Sequence, residues 1–110
     1  MKKSNYALYI EEREGKFIVE DERGFATYLF LPEHCYIEDI FVQEAFREHY
    51  VATEYADQIA KLAKAKGYSK LLGSVCTQAK GATASIKILI GYGFKVLNSE
   101  KNMIYFEKNI

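Results

Sequence analysis

The chain has 110 residues, 49% of them apolar and 15% aromatic, including nine Tyr and seven Phe. That is a globular composition, sufficient for one domain spanning 1–110 and too short for a second. Fifteen basic residues balance fifteen acidic ones, so no positive surplus exists to neutralise a phosphate backbone and no nucleic-acid partner is expected. No apolar run approaches the roughly 20 residues of a membrane span, and MKKSNYALYIEE reaches its acids too early for a secretion signal; a cytoplasmic protein with no membrane partner is expected.

In chain order, NYALYIE at 5–11 alternates and carries β-forming aromatics, which predicts a first strand. EREG supplies a turn, KFIVE at 16–20 runs back, DERG turns again, and FATYLFL at 25–31 ends at Pro32, the single proline. A fourth strand, Tyr36–Val42, completes an antiparallel meander. The spacing then becomes helical. Val51, Ala52, Tyr55, Ala56, Ile59, Leu62 and Ala63 share one face of a helix over 51–66, and Gly67 suits its left-handed C-terminal cap. KLLGSVC at 70–76 reads as a parallel strand covered on both faces. A second helix over 83–92 carries Ile86, Leu89 and Ile90 on one side and stops at Gly93; FKVL at 94–97 and MIYFE at 103–107 form a hairpin around NSEKN. The predicted order is β-β-β-β-α-β-α-β-β, an α/β (α+β mixed sheet) domain with helices packed on the sheet.

The two cysteines, Cys35 and Cys76, fall at opposite ends of neighbouring parallel strands, on the order of 20 Å apart at ~3.3 Å per residue, so no disulfide is expected. Neither has a plausible histidine partner nearby in sequence for a nucleophile or metal site; both read as buried apolar side chains, and no metal is expected.

Chemistry concentrates in CYIEDIFVQEAFREHYVA, 35–52. Strict alternation places Tyr36, Glu38, Ile40 and Val42 on one face and Ile37, Asp39 and Phe41 on the other. A carboxylate inside a central strand must be protonated, paired or open to a wet cleft. Two readings of Glu38 and Asp39 carry equal weight: one acid serves as general base for an amine, or both are structural ions paired with Lys or Arg. The segment 43–53 could offer amides and Arg47 to a diphosphate. On residues alone an ordinary loop and helix cap is favoured, because no glycine is present and Glu48 repels an anion. His49 reads as a solvated loop histidine, or else as a base or phosphate contact.

The order of elements, with EDIFVQEAFREHYVAT followed by ASIKILIGYGF, resembles the GNAT superfamily of N-acetyltransferases over roughly residues 14–107. The family's E-D-x-x-V strand end corresponds to Glu38-Asp39-Ile40-Phe41-Val42. Its [QR]-x-x-G-x-[GA] turn corresponds to Arg47-Glu48-His49-Tyr50-Val51-Ala52, and its closing G-F to Gly93-Phe94. The resemblance implies an acyl-CoA N-acyltransferase fold without the usual N-terminal helix pair, which removes half the acceptor-site wall. It also implies a cleft between the Tyr36–Val42 and Lys70–Cys76 strands. Acetyl-CoA would lie there, its pantetheine arm along Ile40, Phe41 and Val42 and its diphosphate on Arg47, Glu48, His49, Tyr50, Val51, Ala52 and Thr53. The implied activity is direct acetyl transfer to a small amine or protein amine, with Glu38 as base and a strand N–H meeting the developing charge. Three positions depart from the family: Tyr50 replaces the first motif glycine, Leu89 replaces the tyrosine that protonates the departing thiolate, and Ala82 replaces an asparagine. Tyr92 is the substitute acid on offer. These departures support the alternative, a catalytically inactive GNAT-like binding or interaction protein. An uncovered acceptor side and aromatic-rich outer strands leave an apolar patch that a homodimer would cover.

Overall fold

The computed structural model describes residues 3–110; Met1 and Lys2, the first two residues of the expected domain, lie outside the described residues. The first element corrects the sequence reading. Asn5–Glu14 is a helix, α1, and not a strand. Ser4 caps it, its Oγ accepting from the Ala7 N–H at 3.0 Å, and Gly15 closes it in the left-handed conformation at φ 66°. The alternating tyrosines suggested period 2, but a cap at each end and the helix-forming EERE run decide for the helix. Only Ala7 and Ile10 of α1 are buried.

The remaining elements fall where expected, within a residue or two except at the end of the fifth strand. Strands β1 (Phe17–Asp21), β2 (Gly24–Phe30) and β3 (Cys35–Val42) form an antiparallel meander. Helix α2 (Val51–Ala65) crosses to β4 (Lys70–Cys76), which runs parallel to β3. Helix α3 (Ala82–Tyr92) leads to the hairpin of β5 (Lys95–Glu100) and β6 (Met103–Asn109), whose turn is Lys101–Asn102; the expected loop residues Asn98, Ser99 and Glu100 belong to the strand. The order is thus α-β-β-β-α-β-α-β-β, with one six-stranded mixed sheet arranged β1-β2-β3-β4-β6-β5.

Helix α2 buries Val51, Ala52, Tyr55, Ala56, Ile59 and Ala63 against Ala26, Tyr28, Cys35, Ile37, Leu71, Val75, Phe94 and Phe106 of the sheet, whereas Leu62, expected on that face, is 45% exposed. Phe17 and Val19 join this cluster, but Ala7 and Ile10 do not. Ser4 Oγ donates to Glu20 Oε2 at 2.8 Å, and Glu20 alternates with Val19 on β1. Helix α1 therefore lies on the opposite face of the sheet from α2. Both cysteines are free; burial pushes the Cys35 thiol up to about 11 and leaves it unreactive at neutral pH.

Two features fix how α2 meets the sheet. The first is Asp21, which accepts from the Tyr55 hydroxyl at 2.6 Å, from Arg23 Nη2 at 2.7 Å and from the Arg23 backbone N–H at 2.8 Å. Arg23 also donates to Glu54 at 3.0 Å. The Arg23 guanidinium above all, with the Tyr55 hydroxyl, holds the Asp21 carboxyl well below the usual carboxylate range. The second is Tyr50, which caps α2 in the left-handed conformation at φ 62°, ψ 19°, without a side-chain capping bond and with its ring 80% exposed. The tyrosine keeps the backbone shape a glycine would adopt and swings its side chain away.

Asp21→Asn should cost about 1–3 kcal/mol at pH 7, because it weakens the acceptor of a buried hydroxyl. The folded-state pKa is depressed, so this stabilisation is fully present above the unfolded value near 4 and fades as pH falls below it. Urea titrations at pH 7 and pH 3 should show the gap between wild type and variant narrowing at the lower pH. Tyr50→Gly should leave stability within about 0.5 kcal/mol, relief of left-handed strain offsetting the added chain entropy, whereas Tyr50→Val should lose about 1 kcal/mol or more in the same titrations.

Candidate functional site

Strands β3 and β4 pair at Cys35–Leu71, Tyr36–Leu72 and Ile37–Gly73, and there the ladder ends. Each strand stays with its other neighbour beyond that point: β3 with β2 to Val42–Gly24, β4 with β6 to Cys76–Met103. The sheet therefore forks between residues 38–42 and 74–76.

The fork begins at a β-bulge. Thr27 opposes Asp39 and Tyr28 opposes Ile37, so Glu38 has no partner on β2 and is the additional residue. The bulge breaks the strict alternation expected for this strand. Ile37, Ile40 and Val42 all pack on the α2 side, while Phe41 is 46% exposed and its ring lies 5.9 Å from that of Phe25. Glu38 is the first residue past the last β3–β4 pair, half-buried, its Oε1 accepting from Lys16 Nζ at 2.9 Å. Asp39 beside it is exposed; partial loss of hydration and then the Glu38 charge raise its carboxyl, with Lys16 opposing.

Backbone polarity in the fork follows from one bond. The Gln43 N–H donates to the Arg23 carbonyl at 2.8 Å and so points toward the β2 side. Strand period 2 then turns the N–H and C=O of Val42 and Ile40 the other way, into the gap, and Phe41 back toward β2. Arg47 takes the Val42 carbonyl through Nε at 2.9 Å, with its guanidinium carbon 5.9 Å from the Phe41 ring centroid. The gap-facing groups of Ile40 and the Val42 N–H remain for an extended guest.

At the open end, Glu48 at φ 66° and Tyr50 carry the chain through two left-handed residues into α2. Glu48, His49 and Tyr50 are exposed, Val51 and Ala52 are buried, and Thr53 is half-buried, so α2 presents a first turn that no side chain caps. A cavity of about 590 Å³ lies between this turn and the start of α3, lined by Glu48, Thr77, Gly81, Ala82, Thr83 and Lys87 among others. That volume is in the range of small-molecule sites.

The closed end is apolar on one side and hydroxylated on the other. Leu89 packs over Gly73, where an added Cβ would lie 3.5 Å from Leu89 Cδ2 and 3.8 Å from Phe94. The Tyr36 and Ser74 hydroxyls are hydrogen-bonded across the fork; neither was singled out in the sequence, because their adjacency depends on a register the sequence does not display. Tyr92 points elsewhere: its hydroxyl donates to Asp57 on α2, and Lys108 Nζ lies 5.1 Å from its ring centroid. Burial and that carboxylate raise the Tyr92 phenol well above its ordinary value. No group of three or more His, Cys, Asp or Glu able to hold a metal is found among the described residues.

Comparison with solved structures places this arrangement. The chain is similar to the PaiA N-acetyltransferase from Thermoplasma acidophilum in complex with coenzyme A (TM-score 0.73, 16% identity, 80% of this chain and 54% of that one). It is similar to an acetyltransferase described as putative in its source, from Agrobacterium tumefaciens (0.71, 16%, 96% and 85%), and to an aminoglycoside 6'-N-acetyltransferase complexed with coenzyme A (0.70, 10%, 93% and 77%). At these identities the likeness is one of fold, and the chain spans about half of the first of them. No curated protein matches the sequence. A family model described as "Acetyltransferase (GNAT) family" matches residues 2–94, nearly the whole domain up to Phe94. With the forked sheet, the bulged strand and the uncapped turn all in place, the chain belongs to the GNAT acetyltransferase family.

Proposed function

We propose that the chain binds acetyl-CoA in the fork and transfers the acetyl group directly to a primary amine, with Glu38 as general base. The observation that carries this is the end of the β3–β4 ladder at Ile37–Gly73, which leaves the backbone groups of Ile40 and the Val42 N–H facing an open gap. Those groups fit the amides of a pantetheine arm, which would complete the interrupted ladder. Ala52, Thr53 and their neighbours at the first turn of α2 fit a diphosphate, and the cavity beside Glu48 and Lys87 gives the nucleotide end room. Glu48 is a cost to that fit, placing a carboxylate near bound anions.

Acetyl-CoA supplies an acyl group already activated as a thioester. Glu38, at the fork's closed end, is placed to take a proton from an incoming amine, and Lys16 holds the carboxylate until that amine arrives. Tyr36 and Ser74 present hydroxyls at that end, a proton source where Leu89 offers none and the Tyr92 phenol is committed to Asp57. Leu89 over Gly73 favours the second reading, a GNAT-fold binding protein that holds the cofactor without turnover.

Self-association is part of the same reading. Edge strand β5 is exposed along its whole length, with Val96 58% and Leu97 49% accessible, and Ile88 and Ile90 of α3 are also open. Antiparallel pairing of two β5 strands about a twofold axis would set Lys95 against Glu100 of the second copy.

Acetyl-CoA at about 100 times its dissociation constant should stabilise the fold by ~2.7 kcal/mol in thermal melts. Glu38→Gln should keep the shift and lower amine acetylation by about 100-fold. No shift at millimolar cofactor rejects binding; a shift with unaltered turnover in the variant removes Glu38 as base; a shift with no turnover on any amine selects the binding protein. Sedimentation equilibrium should give a dimer mass that Leu97→Lys returns to the monomer.

A further inference from the structure

The amine closest to the candidate base belongs to the chain itself. Lys16 Nζ donates to Glu38 Oε1 at 2.9 Å and lies 3.5 Å from Glu14 Oε1. Its side chain is 26% exposed, so it is neither sealed in the core nor free in solvent. The register explains its reach. Phe17 pairs with Tyr28 and Tyr28 with Ile37, and β1 and β3 run in the same direction on either side of β2. Lys16 therefore lies one residue before this row and Glu38 one residue after it, and the long lysine side chain spans the offset across β2. Because Glu38 is the bulge residue, its carboxylate projects where a regular strand would have carried it elsewhere. Lys16 follows Gly15, whose left-handed cap turns the chain sharply out of α1, and it enters the sheet at the start of edge strand β1, from which its side chain reaches Glu38 on β3. The ammonium thus sits beside the fork's closed end, on the base that an external amine would have to reach.

We infer that Lys16 is an acceptor of the chain's own transfer reaction: its Nζ is acetylated in cis from a thioester held in the fork. The inference rests on the proposed binding of acetyl-CoA and on Glu38 as base. In the step, Glu38 takes one proton from the Lys16 ammonium, and the freed lone pair forms a C–N bond to the acetyl carbon. The C–S bond breaks with its electron pair on sulfur, and the second nitrogen proton is lost as the thiolate is protonated. The products are Nζ-acetyl-Lys16, free thiol coenzyme A and one proton, with no oxidant or reductant needed. The ion pair holds the nitrogen at hydrogen-bond distance from its base before any cofactor enters. Because the Glu38 hydrogen bond also favours the ammonium, raising the Lys16 amine above its ordinary value, the proton passes to Glu38 as the C–N bond forms and not before. Lys61 and Lys64 on α2 and Lys66 at its C-terminal cap have no carboxylate partner among the hydrogen bonds and ion pairs of the described residues, and they serve as internal controls for uncatalysed labelling.

The test is peptide-resolved mass spectrometry of the full chain incubated with acetyl-CoA, run beside thermal melts of the same samples. One acetyl group on Lys16 is expected, formed at least about 10-fold faster than on Lys61 or Lys64, at a first-order rate independent of protein concentration. Glu38→Gln should slow that labelling by about 100-fold while retaining the cofactor-induced melting shift. Lys16→Arg should abolish the mark and also retain the shift. A melting shift without preferential labelling of Lys16 overturns this inference and leaves the proposed function standing. Equal labelling of Lys16 in wild type and Glu38→Gln assigns the mark to uncatalysed chemistry and overturns it too. Absence of any shift overturns both.

Discussion

The molecule turns on a competition for the inner edge of β3. A strand in the middle of a sheet normally gives both edges to neighbours, because an unpaired backbone amide or carbonyl away from water is costly. Here β3 gives its full length to β2, but only its first three residues to β4. Strand β4 is held equally firmly by β6, through seven consecutive pairs. The sheet is therefore two three-stranded halves, β1-β2-β3 and β4-β6-β5, hinged at Cys35–Ile37 and spread apart beyond it. The bulge at Glu38 adds a residue on the β2 side and increases the local twist at the point where the halves separate. An extended ligand would recover the missing ladder bonds, so the interruption that weakens the sheet is also what the proposed binding uses.

Bulge and fork together account for the position of the charges. An acid at residue 38 on an unbroken ladder would have to share a crowded strand face; at a bulge beside an open gap it has room to accept from Lys16. The equal-weight readings of the sequence, base or structural ion, turn out not to exclude one another. The same carboxylate is ion-paired and stands at the end of the fork. Lys16 is the residue that the sequence could not connect to it, because the pair is 22 positions apart and forms only through two antiparallel registers.

What the sequence disclosed followed from periodicity, and what it concealed followed from exceptions to periodicity. Helix α2, strands β1 to β4 and the closing hairpin were readable from helical or alternating apolar spacing and from Gly, Pro and acidic turn signals. Helix α1 was missed because Tyr6, Leu8 and Ile10 mimic a strand; Ser4 and Gly15 at its two ends were the available signal. The faces of β3 were misassigned past Ile37 because a bulge leaves no mark in composition. Tyr50 was readable as a departure from the family's glycine, but its consequence was not. The backbone keeps φ 62° and the ring goes to solvent, so the turn into α2 retains its shape with a tyrosine in it. Helix α1 also revises the expected acceptor side: one helix covers that face of the sheet where none was anticipated.

The two halves differ in how well they are buried, and this bears on how the fork can admit a guest. Tyr28, Ile37, Tyr55 and Ile59 tie β2, β3 and α2 into one core, reinforced by the Asp21–Tyr55–Arg23 bonds. In the other half, Leu71, Val75 and Phe106 belong to that same core, but α3 has no fully buried residue and β5 is exposed throughout. Local opening is least costly where few apolar contacts are lost, so α3 and the β5 edge can shift relative to β3 while the α2 core stays intact. Leu89 over Gly73 and Phe94 beneath it are the main apolar links between α3 and the closed end. Under the proposed function, a thioester in the fork would lie between a wall carrying Ile40 and Glu38, with Lys16 beside it, and one carrying Leu89. Glu38, Lys16 and Tyr36 stand on the β1-β2-β3 side, whereas Ser74 stands across the fork on β4, hydrogen-bonded to Tyr36.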